Sequence, residues 1–531
     1  MNDKGPHKRA RYAWSIPGWA SEKPCGASGA SELWCYTDKP SYEPRDQVQL
    51  FVHSTSTVIQ MRIYRDGQSP VTVLEQTLEG DFQQETPSDA YAKGCGWSQS
   101  AEIAIGDTWK PGFYIIELKA EFGGETVQAE HFFILKAVSQ KARAVMLLTT
   151  STLTAYNDWG GANHYRGCPG DDAPSPFLSM QRPIARGFIS KPHGAPRNAH
   201  HGTPPPGWIP RHEVYEWAHA HGYSRHHADA FWATYERPFT LWAEQHGYAL
   251  DFLTQWDLHL DPACLDDYSC VVIVGHDEYW SWEMRDAMDA YLERGGNLAR
   301  FAGNFVWQIR LSADGQVQTC YKDPRLDPVI AIDPQRLTTL WEHPLINRPS
   351  GQTMGLAGIS GCYNRYGTTT PRSSGGFTVY RPEHWALKGS DLYYGDVFGG
   401  APACIAAFEV DGAEYGFRKG LPFATGEDGA PLDLEIIAMA PAVIGADDHW
   451  SGEVPIGAPA DEMEELLKIS FAPNPPDWVK DKKYGAGMVA SFKKGEGTVF
   501  NAGSCEWVNG LIHRDPFTEV ITKNVLDKLI V

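Results

Sequence analysis

The first part of the chain alternates apolar with polar residues in short segments. Residues 59–63 and 114–120 place an apolar side chain at every second position, and turn residues separate such segments. A period of two is that of a strand with one buried face, and short strands divided by turns are typical of a β-sandwich. We therefore predict an immunoglobulin-like β-sandwich over residues 41–138, preceded by an irregular arm over residues 1–40.

After residue 138, continuous apolar runs alternate with segments of helical period. Such runs are typical of strands in a parallel sheet, because the helices of the crossover connections cover both of its faces. The predicted strands are residues 144–150, 249–254, 270–275 and 297–303. The alternation predicts a parallel-sheet α/β domain over residues 139–531.

Two helices and one hairpin of this domain have clear boundaries. Ser281 can cap a helix that ends before Gly295. Asp515 and Pro516 are typical of the start of a helix, which we expect to run to the end of the chain. The stretch KKGEG at 493–497 separates two apolar segments and predicts a β-hairpin.

The stretch at 166–230 is long and rich in Pro, Gly and His. We predict that it forms an excursion over the sheet. Loops of this length are often functional, and this one begins where a strand of the sheet has ended, so we expect it to line the mouth of a site. Its histidine-rich part, HAHGYSRHH at 219–227, offers ligands for zinc or copper, although the spacing matches no strong zinc template.

Composition narrows the possible partners. The formal net charge of −20 disfavours nucleic acids and anionic membranes, and the longest apolar runs are too short for a transmembrane helix. The 10 cysteines are scattered without a C-x-x-C pair. Together with the absence of a signal-peptide core, they favour a cytoplasmic protein with reduced thiols.

Polar residues follow several of the predicted strands. The run VVIVGHDEYWS at 271–281 leads from a buried strand into His276, Asp277 and Glu278. Ligands of open parallel sheets bind beyond the carboxyl ends of the strands. If the strands are neighbours, the side chains that converge there are Tyr156, Tyr165, His276, Glu278 and Asn304.

A structural explanation of each residue competes with this one. The His-Asp-Glu run can serve the start of the next helix, where carboxylates are favoured by the helix dipole. Asn304 can shape a turn, and Tyr156 and Tyr165 can be core aromatics with satisfied hydroxyls. Other chemistries are disfavoured, because the chain contains neither G-x-S-x-G nor a P-loop and has no cysteine in the turn GHDEYW.

Five motifs together resemble the large (beta) subunit family of N,N-dimethylformamidase. They are TAYNDWGG, GHDEYWS, FAGNFVWQIR, FEVDG and GTVFNAGSCEW, at 154–161, 275–281, 301–310, 408–412 and 497–507. The resemblance covers roughly residues 41–531. It implies that the α/β domain is glutamine-amidotransferase-like, with a flavodoxin-like parallel sheet, and that a small partner subunit or a homo-oligomer accompanies the chain.

The resemblance also implies a mononuclear ferric iron held by two tyrosines and one glutamate. Glu278 matches the carboxylate ligand, and Tyr156 matches the first tyrosine. The loop after Tyr156 differs from the family in length and sequence. Tyr165 is our choice for the second tyrosine, because it follows the glycine pair in the same loop. Phenolate and carboxylate oxygens are hard ligands that suit ferric iron.

The catalytic residues of the family fall on three further positions. His276 and Asn304 match its histidine and asparagine, and Glu409 matches its glutamate, with Glu414 as the alternative. The implied roles are a general base for Glu409 and substrate orientation or oxyanion stabilisation for His276 and Asn304.

These observations predict iron-dependent hydrolysis of a small N-substituted amide. Two other functions stay open at this point. One is a non-catalytic protein whose cleft, lined by some of the 19 tryptophans, binds a carbohydrate or a similar ligand. The other is hydrolysis of a different C–N bond at the same iron.

Overall fold

The computed structural model describes residues 21–27, 29–139, 141–169, 172–199, 213–361, 373–443, 467–475 and 484–530. The strands are β1 (Leu33–Thr37), β2 (Ser41–Tyr42), β3 (Gln47–Ser54), β4 (Val58–Arg65), β5 (Val71–Glu79), β6 (Ala101–Ala104), β7 (Gly112–Phe122), β8 (Glu125–Leu135), β9 (Ala144–Leu148), β10 (Phe177–Ser179), β11 (Leu250–Thr254), β12 (Cys270–His276), β13 (Tyr279–Ser281), β14 (Asn297–Gly303), β15 (Trp307–Leu311), β16 (Val317–Thr319), β17 (Phe377–Val379), β18 (Val397–Phe398), β19 (Tyr415–Arg418), β20 (Leu421–Ala424), β21 (Glu435–Val443), β22 (Tyr484–Lys494) and β23 (Gly497–Asn501).

The α-helices are α1 (Ala90–Lys93), α2 (Thr150–Tyr156), α3 (Glu213–His221), α4 (Glu236–Gln245), α5 (Gln255–Leu260), α6 (Trp282–Glu293), α7 (Gly351–Met354), α8 (Gly358–Gly361), α9 (Trp507–Ile512) and α10 (Pro516–Leu529). Short 3₁₀ helices lie at Pro262–Leu265, Pro328–Ala331, Pro334–Arg336 and Trp385–Leu387. This is a mixed, β-rich protein with several sheets, consistent with a multidomain β plus α/β organisation.

Two sheets near the N-terminus share one apolar interior. A five-stranded sheet has the order β2-β8-β7-β4-β5, and a three-stranded sheet has the order β1-β3-β6. Apolar residues of both sheets, Val48 and Ile59 among them, form a single buried cluster. As predicted, the alternating apolar residues at 59–63 and 114–120 are those whose side chains face this interior. The prediction of an irregular arm over residues 1–40 was wrong for β1. This strand was missed because its sequence LWCYT lacks the alternation of apolar and polar residues that marks the other strands.

A nine-stranded sheet follows, in the order β11-β9-β12-β14-β23-β22-β21-β17-β18. The strands from β11 to β23 are parallel, and the four predicted apolar runs supply β9, β11, β12 and β14. The remaining strands are antiparallel. The predicted parallel sheet therefore covers five of the nine strands, and the antiparallel part begins at the predicted 493–497 hairpin, because a tight turn can join only antiparallel strands.

The predicted helix and hairpin boundaries are confirmed. The Ser281 hydroxyl accepts a 3.2 Å hydrogen bond from the Met284 N–H at the start of α6, and Asp515 accepts one of 2.8 Å from Thr518 at the start of α10. Lys494 pairs with Gly497 across the hairpin.

The outer face of the sandwich packs on the α/β part. The Phe113 ring of β7 stacks on Trp232 with centroids 3.8 Å apart, and Phe132 of β8 lies against Phe231. Thus β7 and β8 bury apolar side chains on both faces, which joins the two parts of the chain in one core. Among the described helices, none is long and apolar enough to cross a membrane.

Candidate active site

The strands that carry the candidate residues are neighbours. β9, β12 and β14 lie side by side and parallel, and His276 at the end of β12 pairs with Gly303 at the end of β14. α2 leaves the same edge after β9 and ends at Tyr156. The edge of the sheet therefore brings together the polar residues that follow each strand.

Two glycines allow this close approach. Gly275 has a φ of +85°, and a Cβ on it would lie 2.3 Å from the Cβ of Tyr235. A Cβ on Gly303 would lie 2.8 Å from the carbonyl oxygen of Glu409. Side chains at these positions would push apart the segments that form the site.

Tyr156, Tyr165 and Glu278 form a cluster of oxygens. The Tyr165 hydroxyl lies 2.9 Å from the Tyr156 hydroxyl and 2.9 Å from each oxygen of the Glu278 carboxylate. Two residues that the sequence did not single out complete the surroundings. The Tyr279 hydroxyl donates to Tyr165 at 2.8 Å, and the Trp307 indole donates to Glu278 at 2.7 Å.

This cluster of two phenols and one carboxylate is largely buried. Tyr156 is only 5% exposed and Glu278 4%. Burial, and then the charge of Glu278, raises the pKa of both Tyr156 and Tyr165 well above the ordinary value. Without a cation these tyrosines are neutral phenols, and a metal ion among the three side chains would supply the charge that phenolates need.

His276, Asn304 and Glu409 form a second group beside the first. One oxygen of Glu409 lies 2.6 Å from His276 Nε2 and accepts a 2.7 Å hydrogen bond from the Asn304 side-chain amide. The same His276 nitrogen is 3.3 Å from Glu278, which links the two groups. Glu409 reaches this position because its segment runs beside the residues after β23, where the Cys505 N–H donates to its carbonyl.

The charges of this second group are coupled. Burial opposes the charged form of His276, but the carboxylates of Glu409 and Glu278 outweigh it and raise the pKa of the imidazole to about 10. Burial raises the pKa of Glu409, although the charge of His276 acts against it. A carboxylate with a raised pKa is a stronger base than an exposed one.

A buried ion cluster under the site holds its loops. Arg300 of β14 donates to Asp277 at 2.9 Å and to Asp411 at 2.6 Å. Asp411 in turn accepts a 2.6 Å hydrogen bond from the backbone N–H of Asn304, whose φ is +62°. The cluster therefore fixes the backbone beside His276, Asn304 and Glu409 at once. It also corrects the helix-start explanation of the His-Asp-Glu run, because Asp277 binds Arg300 and Ser281 caps α6.

Lys322 is a further residue that the sequence reasoning missed. Its ammonium lies 3.5 Å from the centroid of the Tyr165 ring and 4.8 Å from that of Trp307, and the residue is 8% exposed. Its backbone has a φ of +61°, a strained conformation for a lysine. Burial lowers its pKa, and the charge of Glu278 opposes that effect. A lone lysine in a loop carries no sequence pattern, so only its position in the fold identifies it.

The described parts of the excursion at 166–230 do contact the site. The backbone carbonyl of Asp229 accepts a 2.7 Å hydrogen bond from His276 Nδ1, and the His226 ring lies 5.2 Å from that of Tyr156. The histidines at 219–227 form no group of three metal-ligating residues within the ranges that the structure describes.

A different potential metal group lies at the second cluster. Ligand atoms of His276, Glu409 and Cys505 all lie within 4.8 Å of one another. Burial and the charge of Glu409 raise the pKa of the Cys505 thiol well above its ordinary value. Glu414, the alternative to Glu409, lies away from this group and lines a cleft of about 690 Å³ with Glu427 and Asp428.

Comparisons with known proteins place the chain in a family. No curated protein matches it. Among solved structures, a family 123 glycoside hydrolase from Clostridium perfringens shares 8% identity over 52% of this chain and 72% of that chain. Its TM-score of 0.09 is too low to bear on the fold or the activity. The family described as N,N-dimethylformamidase beta subunit-like, C-terminal, matches residues 55–518. This chain therefore belongs to the N,N-dimethylformamidase beta subunit-like family.

Proposed function

We propose that this protein is an iron-dependent amidohydrolase that acts on a small N-substituted amide. The observation that carries the proposal is an oxygen cluster beside the His276, Asn304 and Glu409 group. In this cluster the Tyr165 hydroxyl lies 2.9 Å from the Tyr156 hydroxyl and 2.9 Å from the Glu278 carboxylate. Membership of the dimethylformamidase-like family supports the same reaction class.

The donor set fits a hard, highly charged cation. Two phenols and one carboxylate offer oxygens only, whereas sulfur or imidazole ligands would have favoured a softer metal. Tyr156, Tyr165 and Glu278 would hold the ion. A ferric ion bound there would supply Lewis acidity for an amide carbonyl and for water.

The residues beside the cluster are placed to handle protons. Glu409 takes the proton of the attacking water, and the hydrogen bonds from His276 and Asn304 keep its carboxylate in position. The Asn304 amide and the buried Lys322 ammonium provide donors for the substrate oxygen as negative charge develops there. The water oxygen bonds to the carbonyl carbon, the C–N bond breaks, and the nitrogen leaves as an amine with one added proton. The products are a carboxylic acid and an amine.

The finer description of the fold belongs to the same proposal. The two-sheet interior supports an immunoglobulin-like sandwich over residues 41–138, and the parallel strands β11-β9-β12-β14-β23 support a glutamine-amidotransferase-like domain over residues 139–531. The family's name, beta subunit-like, supports a partner subunit or a homo-oligomer.

Metal analysis beside an absorbance scan tests this function. The purified protein should contain about one iron per chain and show a visible tyrosinate-to-iron charge-transfer band, and it should release an amine from small formamides. A colourless protein without stoichiometric iron that binds sugars would support the carbohydrate-binding alternative. Zinc in a colourless, active protein would keep the hydrolase and reject the iron.

A further inference from the structure

A second histidine, His226, is held in a fixed orientation beside the tyrosines. It is 5% exposed, and its Nδ1 lies 2.7 Å from a carboxylate oxygen of Asp229. The other oxygen of Asp229 accepts a 2.8 Å hydrogen bond from the side-chain amide of Asn198. A histidine whose ring is held in this way by a carboxylate has a defined tautomer and a defined direction.

Asp229 orients both histidines of the site. Its side chain binds His226, and its backbone carbonyl accepts the hydrogen bond from His276 Nδ1. The two imidazole rings each lie 5.2 Å from the ring of Tyr156. Asp229 therefore couples the positions of two imidazoles that both contact this tyrosine.

The outer ring nitrogen of His226, Nε2, receives no hydrogen bond from any described residue. The Asp229 carboxylate only accepts, so in the neutral imidazole the ring proton is on Nδ1 and Nε2 carries a lone pair. Nε2 is buried and has no hydrogen-bond partner among the residues that the structure describes. Leaving such an acceptor unpaired is unfavourable, so its burial next to a candidate active site indicates that a bound molecule donates to it.

We propose that His226 Nε2 accepts a hydrogen bond from the N–H of the substrate amide. This inference rests on the proposed function and narrows its substrate class from N-substituted amides to N-monosubstituted ones. His276, which binds Glu409, and His226 both contact the Tyr156 ring, so a substrate whose carbonyl carbon faces Glu409 can direct its nitrogen towards His226. An N,N-disubstituted amide has no N–H, so it leaves Nε2 unpaired, and a site built to bind a donor rejects a substrate that lacks one.

Two formamides that differ in one methyl group test this. We expect the wild type to hydrolyse N-methylformamide with a kcat/KM roughly 10- to 100-fold above that for N,N-dimethylformamide, the effect of one unpaired buried acceptor. The variant His226→Phe keeps a planar ring of similar size and should lose this preference, mainly by a higher KM for N-methylformamide. Its iron content should stay that of the wild type, because the proposed ligands are untouched.

The variant Asp229→Asn supplies a second, independent test. Asn198 keeps the amide oxygen of residue 229 occupied, so the new amide N–H group faces His226 Nδ1 and shifts the ring proton to Nε2. The acceptor becomes a donor, and the preference for N-methylformamide should fall although no ring is lost. Nitrogen-15 spectra of the metal-free protein should show the change of tautomer.

The outcomes separate this inference from the proposed function. Equal hydrolysis of both formamides by the wild type, or an equal loss for both in His226→Phe, would overturn the role of His226 and leave the hydrolase standing. Loss of iron in His226→Phe would assign the ring to metal binding and overturn it as well. If the wild type hydrolyses no amide, the proposed function itself fails, and this inference fails with it.

Discussion

The interior of the β-sandwich and the carboxyl edge of the nine-stranded sheet are equally buried but have opposite chemistry. In the sandwich, residues such as Val48, Ile59 and Leu118 are fully buried and wholly apolar. At the sheet edge, His276, Asp277 and Arg300 are just as buried and are all titratable.

The difference shows where the fold gains stability and where it gives some up. Apolar burial contributes to folding directly, whereas a buried charge is tolerated only when it is paired and hydrogen-bonded. Positive φ values at Asn304, Lys322 and Phe408 add backbone strain at the same edge. Such a concentration of unfavourable features at one place is typical of a functional site.

The largest expected difference between the two regions is that between matched Tyr→Phe substitutions. Tyr156→Phe keeps the ring and removes one ligand oxygen, so we expect it to lose the visible band, most of its iron and its amide hydrolysis together. Tyr114→Phe in the sandwich removes the 2.6 Å hydrogen bond to the Lys110 carbonyl and should cost only about 1 kcal/mol of stability. Absorbance, metal analysis and an amine-release assay on both variants measure this. Full iron and activity in Tyr156→Phe would contradict the proposed centre.

Glu409→Gln should separate catalysis from metal binding. The variant removes a base that is not a proposed ligand, so iron and colour should stay while kcat falls by roughly 10²- to 10⁴-fold. Glu414→Gln is the control, and it should keep its turnover. Loss of iron in Glu409→Gln would make Glu409 a ligand, whereas full activity in Glu409→Gln with a loss in Glu414→Gln would move the base to Glu414.

Two core substitutions, one in each region, are expected to lower the unfolding free energy by similar amounts. Arg300→Met leaves Asp277 and Asp411 buried without their partner and should cost about 3–5 kcal/mol of unfolding free energy. Leu118→Ala in the sandwich should cost about 2–5 kcal/mol through the cavity it creates. Activity per folded molecule, measured well below both melting temperatures, should fall only in Arg300→Met, because only that change releases the loops of the site. Unchanged activity per folded molecule in Arg300→Met would show that Arg300 only stabilises the fold.

A pH effect in the sandwich should be the smallest of these. Burial lowers the pKa of His131 to about 3, while an unfolded histidine titrates near 6.5. Between these values the unfolded chain binds a proton that the folded chain does not, so stability falls as pH falls below about 6.5. At pH 5 the loss from this group is about 2 kcal/mol.

His131→Phe should remove that part of the pH dependence. The measurement is the difference in unfolding free energy between pH 7 and pH 5, compared with the wild type and with the exposed-site control His513→Gln. A wild-type slope in His131→Phe would show that the imidazole is hydrated in the folded protein.

The local pattern of apolar and polar residues predicted many of the strands and helices and where they begin or end. The strands at 144–148, 250–254, 270–276 and 297–303 follow from continuous apolar runs, and α6 begins after Ser281 because a hydroxyl can cap it. The same pattern predicted that polar residues gather at the strand ends, because the order of apolar and polar residues along one segment fixes which part of it is buried. The motifs also carried the family, which the match over residues 55–518 shows.

The sequence predicted that these side chains gather, but their individual contacts depend on the tertiary structure. Tyr165 faces Glu278 across 113 residues of chain, Asn304 meets Glu409 across 105, and Lys322 reaches the Tyr165 ring from a loop without any sequence signature. The pairing of His226 with Asp229, and of Asp229 with His276, depends on how the excursion packs on the sheet. Periodicity reports the burial of a residue within its own segment. Contacts between distant segments depend on strand order and on close backbone approaches such as that at Gly303, which no local pattern encodes.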